Sequence, residues 1–461
     1  MKNTSTTSRR DFLRISALTG TVFGAEAALA TDTTRAAAEN RGPAKNVIFM
    51  VSDGMNIGAL TLARRFHMAV YGKETPWMQL YRERPVVRSL METASVSSLV
   101  TDSAAAASAW GSGQRVRNGT INMHPETKAP LAPLHTALQA ARRRTGLVTT
   151  ATITHATPAG FAVNCDDRGK EEQIASQYLE RKVDVLLGGG QKFFDDALRA
   201  RYAAAGYDVV QTRDALRALP GAAFKPVLGL FSSSHLPFSI DRTHVPDIAA
   251  KVPTLAEMSR AALDRLRHAD DGFFLMIEGA RIDHAGHAND AAASIHDQLA
   301  FEEALTAALE FIDKNPDTLL IVTTDHGCGG IQLNGVSADA KQGFGPGLYN
   351  ATDAFFARLQ KFQRSFEWMK QNKVDALSGP KLAEDILRLT GLTLNEDQIK
   401  AAQGLKKFSE VVRDHTGVGW TSGNHTGELV EFCALGPGSH LFPAFLLNSD
   451  VYGLVRKAMA V

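Results

Sequence analysis

The sequence predicts an α/β protein: a three-layer αβα sandwich around a mostly parallel central sheet. Three observations predict it. From Lys45 onward, short apolar runs alternate with amphipathic segments, the rhythm of βαβ units joined by right-handed crossovers. Asn46 to Val51 (NVIFMV), Phe273 to Ile277 (FFLMI) and Leu319 to Thr323 (LLIVT) are apolar without alternation, as strands covered on both faces must be. Each of these runs then stops at an acid: Asp53, Glu278 and Asp325. Ligands of open α/β sheets bind at the carboxyl edge of the strands, so these acids are expected to share one site.

The first thirty residues stand apart from that pattern. Ser8-Arg9-Arg10-Asp11-Phe12-Leu13-Arg14 is a twin-arginine pattern, Ile15 to Ala25 is mildly apolar, and Ala28-Leu29-Ala30 fits a small-residue cleavage site. Residues 1–30 therefore read as a signal peptide for the twin-arginine export machinery, and the protein as periplasmic or secreted. Removing four basic residues (Lys2, Arg9, Arg10, Arg14) and two acidic ones (Asp11, Glu26) turns the net charge of +1 into −1. Without a basic bias, nucleic acid is not an expected partner. No later segment has the ~18 consecutive apolar residues of a membrane span. Cys165, Cys328 and Cys433 are too few, and odd in number, for a disulfide framework, and read as small buried residues.

The remaining chain, 31–461, reads as one catalytic domain. After the NVIFMV strand, a helix is expected from about Ile57 to Tyr71. Ala104 to Trp110 is alanine-rich and ends at Gly111, so Asp102 or Ser103 caps a helix and Ser103 lies in its first turn. Helix is expected over Leu134 to Arg144, Lys170 to Lys182, Phe193 to Ala205, Thr254 to His268 and Ala292 to Lys314. Strands are expected at Gly146 to Ala151, Val183 to Leu187, Val227 to Phe231 and Glu428 to Leu435. Between about 331 and 420 the rhythm breaks: Gln342 to Leu348 is glycine-rich, and two polar helical stretches follow. This region reads as an inserted helical cap.

The stretch FFLMIEGARIDHAGHAN, Phe273 to Asn289, concentrates the chemistry. A polar loop after its strand carries Asp283, His284 and His287, and acids and imidazoles at the mouth of a buried strand must be paired or metal-bound. Candidate ligands over the chain are Asp53, Glu278, Asp283, His287, Asp325, His326 and His425. That is too many for one tetrahedral zinc, and suits two zinc-like ions with a harder, oxygen-liganded ion nearby. Paired metals ~3.5–4 Å apart stabilise the attacking and leaving oxygens of phosphoryl transfer, with Asp53 as the bridging carboxylate. Ser103, at a helix N-terminus beside a metal, is positioned to become a nucleophile. Arg168 offers a fork for two phosphate oxygens, although Asp166-Asp167-Arg168 alone would read as a surface ion pair.

With these residues identified, the chain from about Lys45 to Pro437 resembles the metal-dependent alkaline phosphatases with a serine nucleophile. The similar segments are Val51 to Met55, Thr101 to Ala105, His155 to Ala159, Glu278-Gly279 with Asp283 and His287, Thr324 to Gly327, and His425-Thr426-Gly427. The resemblance implies one zinc on Asp283, His287 and His425, and a second on Asp325, His326 and Asp53 beside Ser103. It implies a magnesium on Asp53, Thr157 and Glu278. Ser103 would form a phosphoserine whose hydrolysis is zinc-activated, Arg168 would clamp the phosphate, and Asp102 and His155 would lie behind the ligands. His155 stands where some relatives carry Asp, which weakens the third position's preference for magnesium. His284 stands where some carry Lys, and is expected to reach phosphate through water. His415-Thr416-Gly417 is read as a decoy for His425. The implied activity is hydrolysis of small-molecule phosphate monoesters; a phosphodiesterase, or a non-catalytic phosphate- or metal-binding protein, is the alternative. Many relatives are dimers, so a homodimer is one assembly open to the chain.

Overall fold

The computed structural model describes residues 42–221, 223–335 and 351–461. The twin-arginine segment, its cleavage site and the glycine-rich Gln342 to Leu348 lie outside the described residues.

Among the described residues fourteen strands run in chain order: β1 Asn46–Val51, β2 Val87–Glu92, β3 Arg144–Thr152, β4 Val185–Gly189, β5 Asp208–Val210, β6 Val227–Leu230, β7 Phe273–Glu278, β8 Thr318–Thr323, β9 Gly327–Cys328, β10 Gln332–Leu333, β11 Val418–Gly419, β12 His425–Thr426, β13 Val430–Leu435 and β14 Phe445–Leu447. Ten form one sheet in the order β14-β2-β13-β8-β1-β7-β3-β4-β6-β5. Only β13 opposes its neighbours; the other pairings are parallel. The expected mostly parallel sheet is present.

Its central strands bury both faces. Along β1, Ile48 and Met50 join one core with the helices Ile57–Tyr71, Leu255–Leu266 and Ala291–Lys314. Val47, Phe49 and Val51 join the opposite core with Ser103–Ser112, Ala156–Ala162 and Asp450–Met459. Side chains alternate across a strand, so an unbroken apolar run supplies both layers at once.

Register decides where the site lies. Val51 stands opposite Glu278 on β7 and Thr323 on β8. Asp53 and Asp325 each follow two residues later, so they lie level with each other just beyond Glu278, and all three acids leave the same edge of the sheet. The alanine-rich segment brings the next component close. Every residue of the Ser103–Ser112 helix except Ser112 is buried. A Cβ at Gly111 would lie 1.9 Å from the Gly160 carbonyl oxygen, and one at Gly160 would lie 2.5 Å from Ala107 Cβ. Small residues here serve contact with the Ala156–Ala162 helix, beyond the helix propensity that marks the run in the sequence.

Three elements differ from expectation. Arg281–His287, expected as a polar loop, is a helix of seven residues; it places Asp283 and His287 one turn apart on one face. The helix from Leu134 stops at Ala140, because Arg144 already belongs to β3. The helix expected from Phe193 begins only at Asp196 (Asp196–Ala204), because Phe193 closes a short 3₁₀ turn, Gln191–Phe193. Between β10 and β11, which pair antiparallel, the described residues form helices including Phe366–Gln371, Gly379–Thr390 and Phe408–Thr416. Phe356, Phe366, Met369 and Phe408 from this region share the core of the Ile57–Tyr71 layer.

Candidate metal centre

The carboxyl edge of β1, β7 and β8 carries three groups of ligand atoms, each within 4.8 Å of one another: Asp283, His287, Cys328 and His425; Asp53, Asp325 and His326; and Asp53, Glu278 and His155. Asp53 belongs to two of them, as a bridging ligand would.

The histidine tautomers are fixed from behind. His287 Nδ1 lies 2.8 Å from the Gly423 carbonyl, His425 Nδ1 2.8 Å from that of Thr101, and His326 Nδ1 3.2 Å from that of Gly327. A carbonyl only accepts, so each Nδ1 carries a proton, and in the neutral ring each Nε2 turns a bare lone pair toward the groups. Two such lone pairs face each other: His287 Nε2 and His425 Nε2 are 3.1 Å apart. Asp283 flanks both, with Oδ2 3.4 Å from His287 Nε2 and Oδ1 3.5 Å from His425 Nε2. His326 Nε2 lies 3.0 Å from Asp325 Oδ2 and 3.8 Å from Asp53 Oδ1.

The carboxylates show the same deficit. Both oxygens of Asp53, Oε1 of Glu278, Oδ1 of Asp283 and Oδ2 of Asp325 are buried and accept no hydrogen bond, and Thr157 Oγ1 is buried without a partner. Burial, then the charges of Asp325, Asp283 and Glu278, push the Asp53 carboxyl well above its usual range. Glu278 is also raised, chiefly by burial, although Thr149 Oγ1 donates to its Oε2 at 2.5 Å. Unpaired acids and bare imidazoles at such density are what divalent cations satisfy, so the donors present fit the metals that the fold implies.

Ser103 stands at the rim of this arrangement. It is the first residue of its helix, capped by Asp102, whose Oδ1 accepts from Ala105 N at 2.9 Å. Ser103 Oγ lies 3.3 Å from His326 Nε2. Asp102 also holds the arginine: its Oδ2 accepts from Arg168 Nη1 at 3.1 Å and from Gly119 N at 2.9 Å. The residue that caps the Ser103 helix thus holds Arg168 as well. Arg168 Nη2 donates to His155 Nε2 at 2.9 Å, which leaves the proton of a neutral His155 on Nδ1. That nitrogen is buried and unpartnered.

Asp53, Glu278, Asp283, His287, Asp325, His326, His425 and His155 fall in the three groups, and His284 lies beside them, its ring 5.7 Å from that of His155. Arg281 Nη1 donates to His284 Nδ1 at 2.7 Å, and the His284 ring lies 4.4 Å from that of His235. Burial and the Arg281 charge hold the imidazole well below its usual pKa. His415 stays apart, on the Phe408–Thr416 helix and against Gln398. Three neighbours escape sequence reasoning. Cys328 is buried as expected, yet it also sits inside the first group of ligand atoms. A signal for it exists in the chain, since it closes Asp325-His326-Gly327-Cys328. His235 follows three serines in a loop, and Arg281 lies two residues before Asp283, with no spacing that marks either.

An α/β sheet with buried acids, bare imidazoles and a helix-capped serine at its carboxyl edge defines a metal-dependent hydrolase. Comparison with known proteins is more specific: the alkaline phosphatase family profile matches residues 44–461, and the chain belongs to that family. Alkaline phosphatase 4 of Bacillus subtilis is 30% identical over 96% of this chain and 95% of its own length. Alkaline phosphatase 3 of the same organism is 33% identical over 91% and 90%. The crystal structure of Thermus thermophilus alkaline phosphatase superposes with a TM-score of 0.80 at 32% identity, covering 92% of this chain and 94% of that one. The activity is therefore hydrolysis of phosphate monoesters, in a family that uses zinc and magnesium.

Proposed function

We propose that this alkaline phosphatase works through a phosphoserine on Ser103. The observation that carries the reading is the row of Nε2 lone pairs on His287, His326 and His425, facing carboxylate oxygens that no donor satisfies. Asp283, His287 and His425 would hold one zinc, and Asp53, Asp325 and His326 a second. Asp53, Glu278 and Thr157 would hold a magnesium, with His155 alongside softening that preference. When bound, these ions supply charge stabilisation for the attacking and leaving oxygens and lower the pKa of hydroxyl groups.

The protein's own groups do the rest. The helix start and Asp102 fix Ser103 so that its Oγ can attack phosphorus in line, expelling the alcohol. Arg168, steadied by Asp102, grips two phosphoryl oxygens through its fork. His284 is positioned to contact phosphate through water rather than directly, since Arg281 holds its Nδ1. Ser103→Ala is expected to abolish acid-trapped phosphoprotein while the purified protein keeps its zinc. Label recovered on another residue would overturn the mechanism.

The substrates are small phosphate monoesters, and the N-terminal twin-arginine pattern directs the protein out of the cytoplasm. Replacing Arg9 and Arg10 by Lys should leave the chain in the cytosolic fraction, and unchanged export would remove that assignment. No helix among the described residues is long and apolar enough to cross a membrane.

A further inference from the structure

We propose that Cys328 is a fourth, sulfur donor to the ion held by Asp283, His287 and His425. This rests on the metal reading above and deepens it. The thiol lies with one ligand atom from each of those residues inside a 4.8 Å group, and only 2% of Cys328 is exposed.

Two features of the backbone put it there. Cys328 on β9 stands directly opposite His425 on β12, and opposed residues in an antiparallel pair project their side chains to the same face. On the other flank, a Cβ at Gly286 would lie 2.9 Å from Cys328 Sγ. The glycine between Asp283 and His287 lets the sulfur sit against the helix that carries both ligands. Asp283 Oδ1 is itself buried and unpartnered within the same group. Cys165 gives its proton to the Asp167 carbonyl at 3.1 Å, away from any ligand group, whereas the Cys328 thiol faces the Asp283 carboxylate itself. Among the described residues, neither Cys165 nor Cys433 belongs to a candidate group.

The consequence is a division of metal chemistry within one centre. The Asp53 groups offer only oxygen and nitrogen, whereas the first group offers one oxygen, two nitrogens and one sulfur. A thiolate draws zinc, cadmium or cobalt to about 2.3 Å and has little affinity for magnesium. As the metal–sulfur bond forms, the S–H bond breaks and its proton leaves to solvent; no electron changes hands.

The full-length protein, stripped of metal and refilled with Co²⁺ alone, provides the test. The wild type is expected to show a near-ultraviolet thiolate-to-cobalt charge-transfer band. That band should vanish in Cys328→Ser and persist in Cys165→Ser and Cys433→Ser, while the visible cobalt bands remain in all. Cys328→Ser should also release zinc to a competing chelator with at least about tenfold weaker retention, the scale on which even outer-shell partners act. Should Cys328→Ser not fold, X-ray absorption of the zinc-loaded wild type must show a sulfur scatterer. Cobalt bound without the band, or a band that survives Cys328→Ser, overturns the sulfur ligand and leaves the metal centre standing. Failure of the wild type to bind cobalt overturns both.

Discussion

Two groups of buried acids in this molecule are buried in opposite ways. Asp53, Glu278, Asp283 and Asp325 crowd together at the carboxyl edge of the sheet with oxygens that no donor reaches. Asp241, Asp290 and Asp297 lie beside the Ala291–Lys314 helix, and every one of their oxygens is satisfied. Asp241 accepts from Ser365 N at 2.8 Å and Ser365 Oγ at 2.5 Å. Asp290 accepts from Ala293 N at 3.0 Å and Phe366 N at 2.6 Å, and Asp297 from Ser239 N at 3.0 Å and Oγ at 2.9 Å. Burial alone therefore marks no metal site, and neither does one unsatisfied oxygen, since Glu302 Oε1 is buried without a partner yet belongs to no ligand group; several unsatisfied oxygens converging with imidazoles do. The satisfied set ties the Phe366–Gln371 helix to the body of the protein, and the unsatisfied set awaits cations.

That contrast can be broken most severely at Asp53, which serves two ligand groups. Asp53→Ala should lower activity by roughly three orders of magnitude, since metal charge stabilisation is worth several kcal/mol and each ~1.4 kcal/mol is tenfold. In the metal-free protein the same change should raise the thermal midpoint, because it removes a carboxylate that burial and three like charges oppose. Rate measurements and calorimetry on stripped protein would read the two signs together. If the variant loses stability without metal, Asp53 is not strained in the way described.

Metal removal is the intermediate case. A chelator should abolish turnover, and returning zinc with magnesium should raise stability by about 2.7 kcal/mol for each site filled when free metal is ~100 times its Kd. A melting curve that ignores added metal would contradict the unsatisfied set.

The smallest effect belongs to the satisfied set. Burial lifts the Asp297 carboxyl to about 7 despite its hydrogen bonds. An acid with a raised folded pKa costs stability as pH climbs from its unfolded value, near 4, to about 7, and above that range the full cost is present. Asp297→Asn should therefore match the wild type at pH 4 and exceed it by about 1–3 kcal/mol at pH 8 and above. Denaturant titrations at the two pH values would check this, and an equal difference at both would refute the linkage.

Much of this was legible in the sequence, for reasons that also explain the gaps. β1, β7 and β8 announce themselves because central parallel strands are apolar throughout, and the acids that end them are fixed by register. β2 (VRSLME) and β14 (FLL) are partly exposed and short, and owe their pairing to distant residues, so nothing local distinguishes them. Arg281–His287 contains a glycine and two histidines and has weak intrinsic helicity; packing against the Ala291–Lys314 helix makes it a helix. Cys328 needed the cross-strand pairing with His425, a contact across nearly a hundred intervening residues. His235 needed the loop after β6 to fold over the Thr152 amide, which donates to its Nδ1 at 3.1 Å.

The β9–β12 pairing has one more consequence, and it concerns time. The Asp53, Asp325 and His326 group is complete once residue 326 has been synthesised, and its strands β8, β1 and β7 lie side by side. The first group also needs His425, which arrives only after the helices between β10 and β11 have been made. A growing chain can thus assemble its buried ligand set early, and closes its half-exposed one as one of the last acts of synthesis.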